Sequence, residues 1–473
     1  SFELSVCFLI FLLSVVCGEF VIKNVDRQVN IETSLVKVKT TFQLENTGPT
    51  VHTSFYHIIH DDNADSFAYF EAFNNQNALQ FECVSDLKKF QNSSYVFSVK
   101  FPNPLKEHNS IDLVLTEVFM NKIKAYPREI LQKELQLVKY VDNVHFYTPY
   151  KIMSESTTIT TGAKSLEGYS KLSKVTSTVG GGSQVRYAGF KNLERFAYEP
   201  IYVHYENNAP FLLITSLKQI IEVSHWGNIA VENHVEMVHS GAKLKGSFSR
   251  YDYMMSGKGM AHSVKSFTTI LPKGANKIYY RDMNGNISTS NVRNKKNALE
   301  VELHPRFPLF GGWKTKYVLG YNVPSSRYLF HEDGKFLLKF PFVNHVHNDM
   351  QVEKFEMSIR FPVGAKNIEV SLPYDVKRLP DSTYFNYMDS LGRIVLNFEK
   401  TNVVENHKKN IEIRYDRNQL FMFYEPILIS VFIFIILVAI VFFLNLNFSL
   451  GNDKKEIAPK AASVPVSGTV GAG

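Results

Sequence analysis

The chain has 473 residues, of which 45% are hydrophobic and 21% charged, and its formal net charge is +7. That balance excludes a disordered chain, and a modest charge spread over scattered pairs such as Lys88-Lys89, Lys295-Lys296 and Lys408-Lys409 excludes a nucleic-acid partner. The length allows two or three domains with their own cores, and 24 Tyr with 37 Phe favour strands.

The first element is "LSVCFLIFLLSVVCG" (residues 4–18), an uncharged apolar run with Val16 and Gly18 at the −3 and −1 positions of a cleavage site. It reads as a secretory signal peptide over residues 1–18, with a short first membrane span as the alternative. Cys7 and Cys17 leave with it. Cys83 is then the only luminal thiol and is expected to be packed and inert.

From residue 19 to about 425 the recurring signal is period two. "VKVKTTFQL" (residues 36–44) puts Val36, Val38, Thr40, Phe42 and Leu44 on one face, and "FEMSIRF" (residues 355–361) does the same with Phe355, Met357, Ile359 and Phe361. Turn words such as "ENTGP", "DMNGN" and "DSLG" separate these runs. The expected fold is mainly β: two luminal β-sandwich-like domains, over residues 19–218 and 219–425. A short helix is expected around residues 127–135. Residues 161–189, poor in apolar side chains, read as a long flexible loop in which Gly180, Gly181 and Gly182 form a linker, not a phosphate cradle. An internal echo pairs "ILPKGANKI" (residues 270–278) with "RFPVGAKNI" (residues 360–368) and predicts two strand–turn–strand units of similar build.

Two luminal sequons, Asn92-Ser-Ser and Asn286-Ile-Ser, are the expected glycosylation acceptors, the second within the turn "DMNGNIS". "EVSHWGNIAVENHVEMVH" (residues 222–239) gathers three histidines and three glutamates and tests whether the chain holds a metal. As a strand it aligns Ile229, Val231, Val235 and Met237, with Asn233 and His239 on the same face and Glu232, His234 and Glu236 on the other. Residues two apart on a strand stand roughly 6.5–7 Å apart, while zinc ligands must all lie within about 2.0–2.2 Å of the metal. The polar strand face is therefore the expected reading, with no catalytic, metal or cofactor residues. "FPLFGGWKTKY" (residues 307–317) reads as a tight turn packed under Phe310 and Trp313, against the alternative of an aromatic docking surface.

The last element, "ILISVFIFIILVAIVFFL" (residues 427–444), has Ser430 as its one polar residue. Eighteen helical residues reach about 27 Å, close to the thickness of a bilayer core. With the signal peptide this predicts a single-pass type I protein, luminal to about residue 425, with a short disordered cytosolic tail over residues 445–473. Asn447-Phe-Ser falls on the cytosolic side and is expected to stay unmodified.

Long segments resemble the ribophorin I family, an accessory subunit of the oligosaccharyltransferase of the endoplasmic reticulum. They are "PIYVHYENNAPFLLITSLKQIIEVSHWGNIAVENHVEMVHSGAKLKGSFSRYDY" (residues 200–253), "LPKGANKIYYRDMNGNISTS" (271–290), "PRFPLFGGWKTKYVLGYNVPS" (305–325) and "FPVGAKNIEV" (361–370). The resemblance spans roughly residues 20–451, and Asn286 matches a sequon position of the family. It implies protein N-glycosylation, in which a preassembled oligosaccharide passes from dolichol pyrophosphate to Asn of Asn-x-Ser/Thr. Catalysis is implied to belong to a different, multi-spanning subunit, so this chain is not an enzyme by itself. The implied partners are that subunit, the other subunits, nascent polypeptides, and the translocon or ribosome. Many relatives continue into a long charged cytosolic region that the tail "GNDKKEIAPKAASVPVSGTVGAG" does not resemble. The competing functions are a single-pass β-sandwich receptor for cargo or adhesion and a luminal glycosidase, the latter requiring a carboxylate pair across a sugar bond.

Overall fold

The computed structural model describes residues 20–446 other than 75–76, 85–92, 173–175, 180–182, 257–260, 289–290, 333, 388 and 390. Residues 1–19, Asn92, the triple glycine and residues 447–473 thus lie outside the described residues. The alternating segments are strands. Val36–Asn46 buries Val36, Val38, Thr40, Phe42 and Leu44, and Gln351–Arg360 buries Phe355, Met357 and Ile359.

In the first half, an eight-stranded sheet runs β14 (Thr176–Val179), β15 (Gln184–Leu193), β12 (Lys151–Thr160), β1 (Phe20–Asn30), β2 (Val36–Asn46), β8 (Ser110–Phe119), β4 (Phe67–Asn74) and β5 (Asn77–Ala78). A three-stranded sheet, β3 (His52–His60), β7 (Ser93–Leu105) and β6 (Phe81–Cys83), packs with it. So does a four-stranded one, β13 (Leu166–Tyr169), β16 (Pro200–Glu206), β11 (Leu137–Asn143) and β9 (Lys124–Ala125). One apolar cluster draws on all three, from Val38 and Phe42 through Phe55 and Val99 to Tyr140 and Val203.

The second half repeats this plan strand for strand. Its eight-stranded sheet runs β30 (Lys377–Tyr384), β31 (Arg393–Val404), β28 (Gln351–Arg360), β17 (Leu212–Val223), β18 (Asn228–His239), β25 (Lys314–Pro324), β21 (Asn276–Asp282) and β22 (Gly285–Asn286). The covering sheets are β20 (Phe267–Pro272), β24 (Ala298–Leu303) and β23 (Asn291–Asn294), and β29 (Ala365–Ser371), β32 (Asn410–Arg417), β27 (Lys335–Pro341) and β26 (Leu329–Glu332). A parallel pair lies inside each large sheet, β1 with β12 and β17 with β28. The core passes from one cluster to the other between Phe211 and Leu212, at the entry to β17.

The echo seen in the sequence lies wholly within the second half, and its turns share backbone geometry. Gly274 and Gly364 take φ of 89° and 84°, and three residues on Lys277 and Asn367 take 49° and 52°. Lys277 and Asn367 each sit at a register shift of the following strand, between Asn276 and Tyr279 and between Lys366 and Glu369. The words are alike because the same glycine turn leading into a bulged strand is built twice, each time joining strands of two different sheets.

Three expectations are corrected. Residues 127–135 are not helical: β10 (Glu129–Ile130) pairs in parallel with β19 (Lys243–Leu244), and Gln132 exchanges hydrogen bonds of 2.9 and 2.8 Å with the Ser249 backbone. Tertiary pairing overrides local propensity there. Residues 161–189 hold β13, β14 and the start of β15, edge and near-edge strands whose ladders need few apolar side chains. Cys83 is exposed, because β6 is an edge strand. Among the described residues up to Asn418, α-helix is limited to α1 (Arg250–Met255), capped by the Ser249 side chain accepting from the Asp252 amide. Residues from Gln419 form a separate unit containing α2 (Tyr424–Asn445).

The two halves meet through a small apolar cluster in which Leu35, Tyr69, Val118 and Met120 join Leu213 and Val404. Polar contacts flank it: Lys409 Nζ to Glu71 at 3.0 Å and the Asn121 amide to Gln351 Oε1 at 3.2 Å. Gln136, fully buried, donates to the Asn207 carbonyl at 2.9 Å and accepts from the Ala242 amide at 2.8 Å. Gln136→Met keeps the bulk and strands both backbone groups. Each orphan costs about 1–3 kcal/mol, so thermal unfolding of the detergent-solubilised chain should shift to clearly lower temperature, whereas Lys409→Met at the surface should shift it little.

Candidate functional site

The histidine stretch is β18, and its burial alternates at every residue: Ile229, Val231, Asn233, Val235, Met237 and His239 face the core. On the outer face Glu232 accepts from Tyr279 Oη at 2.8 Å and from Arg281 Nη2 at 3.4 Å, and pairs with His234 Nε2 at 2.8 Å. Glu232 and His234 therefore belong to a surface network, while Glu236 pairs separately with Lys316, and the three are not a convergent ligand set. Among the described residues no group of three His, Cys, Asp or Glu could hold a metal ion. His239 is enclosed, and burial, with a smaller push from His262, lowers its imidazole to about 4. It is neutral at physiological pH.

A feature the sequence reading missed lies in the first half. Arg27, on β1, and Asp142, on β11, are both buried, and Arg27 Nη2 meets Asp142 Oδ2 at 3.3 Å. Lys122 Nζ reaches Asp142 Oδ1 at 2.6 Å and Tyr140 Oη donates to Oδ2 at 2.7 Å, while Arg27 Nη1 donates to the Asn143 carbonyl at 2.6 Å. Two further pairs line the same interior: His57 with Glu117 at 2.9 Å and His145 with Glu155 at 3.0 Å. The void among them is about 30 Å³, room for a water and not for a substrate. A signal was present. Arg27 falls in the apolar phase with Val25 and Val29, and Asp142 in phase with Val138 and Tyr140. A charge in the core phase of a strand must find partners inside.

Burial by itself would raise the Asp142 carboxyl, but Lys122 and Arg27, with hydrogen bonds from Lys122 and Tyr140, outweigh it and hold the group far below the usual carboxylate range. A carboxyl depressed in the folded state contributes stability that is complete above its unfolded pKa, about 3.9, and is lost as pH falls toward the folded value. Asp142→Asn leaves Arg27 and Lys122 without their counter-charge and should cost about 3–5 kcal/mol at neutral pH. Denaturant melts from pH 7 to pH 2 should also show a shallower loss of stability below pH ~4 than in the unsubstituted chain.

"FPLFGGW" is a packed turn. Phe310 is fully buried, with its ring 5.4 Å from Trp313 and 5.5 Å from Phe248. A Cβ on Gly311 would lie 1.8 Å from the Ala242 carbonyl oxygen, so glycine is required by the close approach of the two backbones. The other tryptophan, Trp226, stands 58% exposed in the turn between β17 and β18. Asn286 is exposed in β22, the return strand of a hairpin closed by the Ile287 amide to the Tyr280 carbonyl at 2.8 Å. Arg306 braces that hairpin through Asp282 and the Gly285 carbonyl. Asn92 lies outside the described residues. The helix α2 is long and apolar enough to cross a membrane, and its Ser430 hydroxyl donates to the Pro426 carbonyl one turn back at 2.8 Å.

A sequence profile of the Ribophorin I family matches residues 20–444. The chain belongs to the ribophorin I family. Subunit 1 of the dolichyl-diphosphooligosaccharide–protein glycosyltransferase of Caenorhabditis elegans is 34% identical over 444 residues, covering 93% of this chain and 75% of that protein. Subunit 1A from Arabidopsis thaliana is 31% identical over 453 residues, covering 94% of this chain and 73% of its own. Among solved structures, an M1 zinc metallopeptidase from Deinococcus radiodurans covers 43% of the chain and 42% of its own at 10% identity and a TM-score of 0.27, a likeness too slight to carry any argument. The family match runs through both halves and into α2, well beyond the segments whose wording resembled ribophorin I most closely. The free-standing receptor reading finds no support in these comparisons.

Proposed function

We propose that this ribophorin I family member is an accessory subunit of the oligosaccharyltransferase of the endoplasmic reticulum, which moves a preassembled oligosaccharide from dolichol pyrophosphate to Asn of Asn-x-Ser/Thr. The observation that carries the proposal is that relatives aligned over 93% and 94% of this chain bear the name of subunit 1 of that glycosyltransferase. Catalysis is assigned to another, multi-spanning subunit. A polyprenol pyrophosphate needs polar or metal-held groups at the membrane, and the one polar side chain within the apolar run of α2, Ser430, spends its hydrogen on its own backbone. Residues 19 to about 425 are placed in the lumen as two β-rich domains, with Asn286 and Asn92 as acceptors and the tail in the cytosol. The broad strand faces are assigned to holding partner subunits and nascent polypeptides.

The test is co-purification. Membranes solubilised in mild detergent are passed over a capture tag on this chain, and the eluate is assayed for transfer of a lipid-linked oligosaccharide to an Asn-x-Thr peptide. Activity should travel with a multi-spanning partner and vanish when this chain is stripped from it. Capture of the intact chain with neither partner nor activity would overturn the proposal.

A further inference from the structure

The register of the second large sheet sets the Asn286 sequon beside an aromatic and polar surface. In the hairpin, Asn286 pairs directly with Arg281, so the two side chains leave the same face. The neighbouring pair confirms the phase: Tyr280 is buried, and Ile287, whose amide bonds to it, packs on the core. Asn286 therefore points to the open side, as Arg281 and Tyr279 do. Tyr279 is its diagonal neighbour, about 7–8 Å away.

Tyr279 is set up as a platform. Its partner across the ladder is Gly320, and a Cβ there would fall 2.0 Å from the tyrosine Cζ, so the ring lies over the glycine with the strand beneath it. The ring is held by the hydrogen bond from its hydroxyl to Glu232, and the Arg281 guanidinium lies over it, 5.4 Å from its centroid. It remains 37% exposed. Beyond it opens a cleft of about 330 Å³ lined by Glu222, Glu232, His234, Asn322 and Arg360.

We propose that the N-linked glycan on Asn286 docks on the open face of its own sheet, with its first sugars against Tyr279 and its polar groups bonded around Glu232. The chemistry is matched. A pyranose presents C–H groups that suit the negative face of an aromatic ring, and a rim of hydroxyls and N-acetyl groups that suits carboxylate and guanidinium. Glu232 already accepts from three neighbours, and a carboxylate has about four acceptor positions, so one is left for a sugar hydroxyl. The occupant is the chain's own glycan because the tether makes docking intramolecular, and contacts too weak to capture a free sugar then suffice. β18, which carries Glu232, is three strands from Asn286, about 14 Å, within the span of a glycan core.

The inference rests on the luminal placement proposed above. It is tested on the full chain purified in its complex from glycosylating cells. Peptide mass spectrometry first reads the occupancy of Asn286. An unmodified Asn286 overturns the inference while leaving the co-purification result untouched. With Asn286 occupied, glycan release by an endoglycosidase under native conditions should be about three- to tenfold faster in Tyr279→Ala, and close to the unsubstituted rate in Tyr279→Phe, which keeps the ring. Equal rates in Tyr279→Ala and the unsubstituted chain overturn the docking. Should Tyr279→Ala fail to assemble, amide exchange of β21 and β22 is compared in the unsubstituted complex before and after trimming. Faster exchange after trimming supports the docked glycan, and unchanged exchange overturns it.

Discussion

The ladder between β18 and β25 runs without a break from Asn228 opposite Pro324 to Val238 opposite Lys314, and the second half depends on it. Because side chains alternate strictly, a slip of one residue would carry Val231, Val235 and Met237 to the surface and drive Glu232, His234 and Glu236 into the core. Burying those unpaired charges would cost far more than the strand could regain. With this register held, Gly320 comes beneath Tyr279, Glu232 within reach of Arg281, and the return strand of the hairpin turns Asn286 outward.

The same plan is built twice. Each half folds an eight-stranded sheet with a parallel pair inside it, and one face of that sheet is covered by a three- and a four-stranded sheet. The halves fill the plan differently. The first encloses Arg27, Lys122 and Asp142 in mutual contact. The second holds enclosed neutral histidines, with burial lowering His345 and His347 to about 4 and His407 to about 3. A covered face and an open face per sheet suit a subunit that presents surface to other chains, with its interior spent on stability.

Much of this was legible in the residues. "VKVKTTFQL" and "IAVENHVEMVH" announced their buried faces correctly because a strand in a half-covered sheet writes burial directly into its alternation. "FPLFGGW" was legible as a turn because two adjacent glycines among aromatics imply close backbone approach, and Gly311 lies against Ala242. Residues 161–189 were misread because strands at a sheet edge bury too few side chains to mark themselves. Residues 127–135 were misread because their structure comes from Lys243–Leu244, more than a hundred positions away. Arg27 was overlooked although its phase was visible, since the partners that make its burial tolerable, Lys122 and Asp142, lie far along the chain.

By itself, the sequence determined the class of fold, the apolar span and the family. Periodicity, uninterrupted hydrophobicity and shared wording are local properties, readable wherever neighbours in the chain are neighbours in space. The tertiary structure alone decided that the chain is a tandem of one topology and that its first interior is charged. It also decided that Asn286 and Tyr279 share an open face. These depend on which distant strands become hydrogen-bonded neighbours and in what register, and no short window of residues carries that choice.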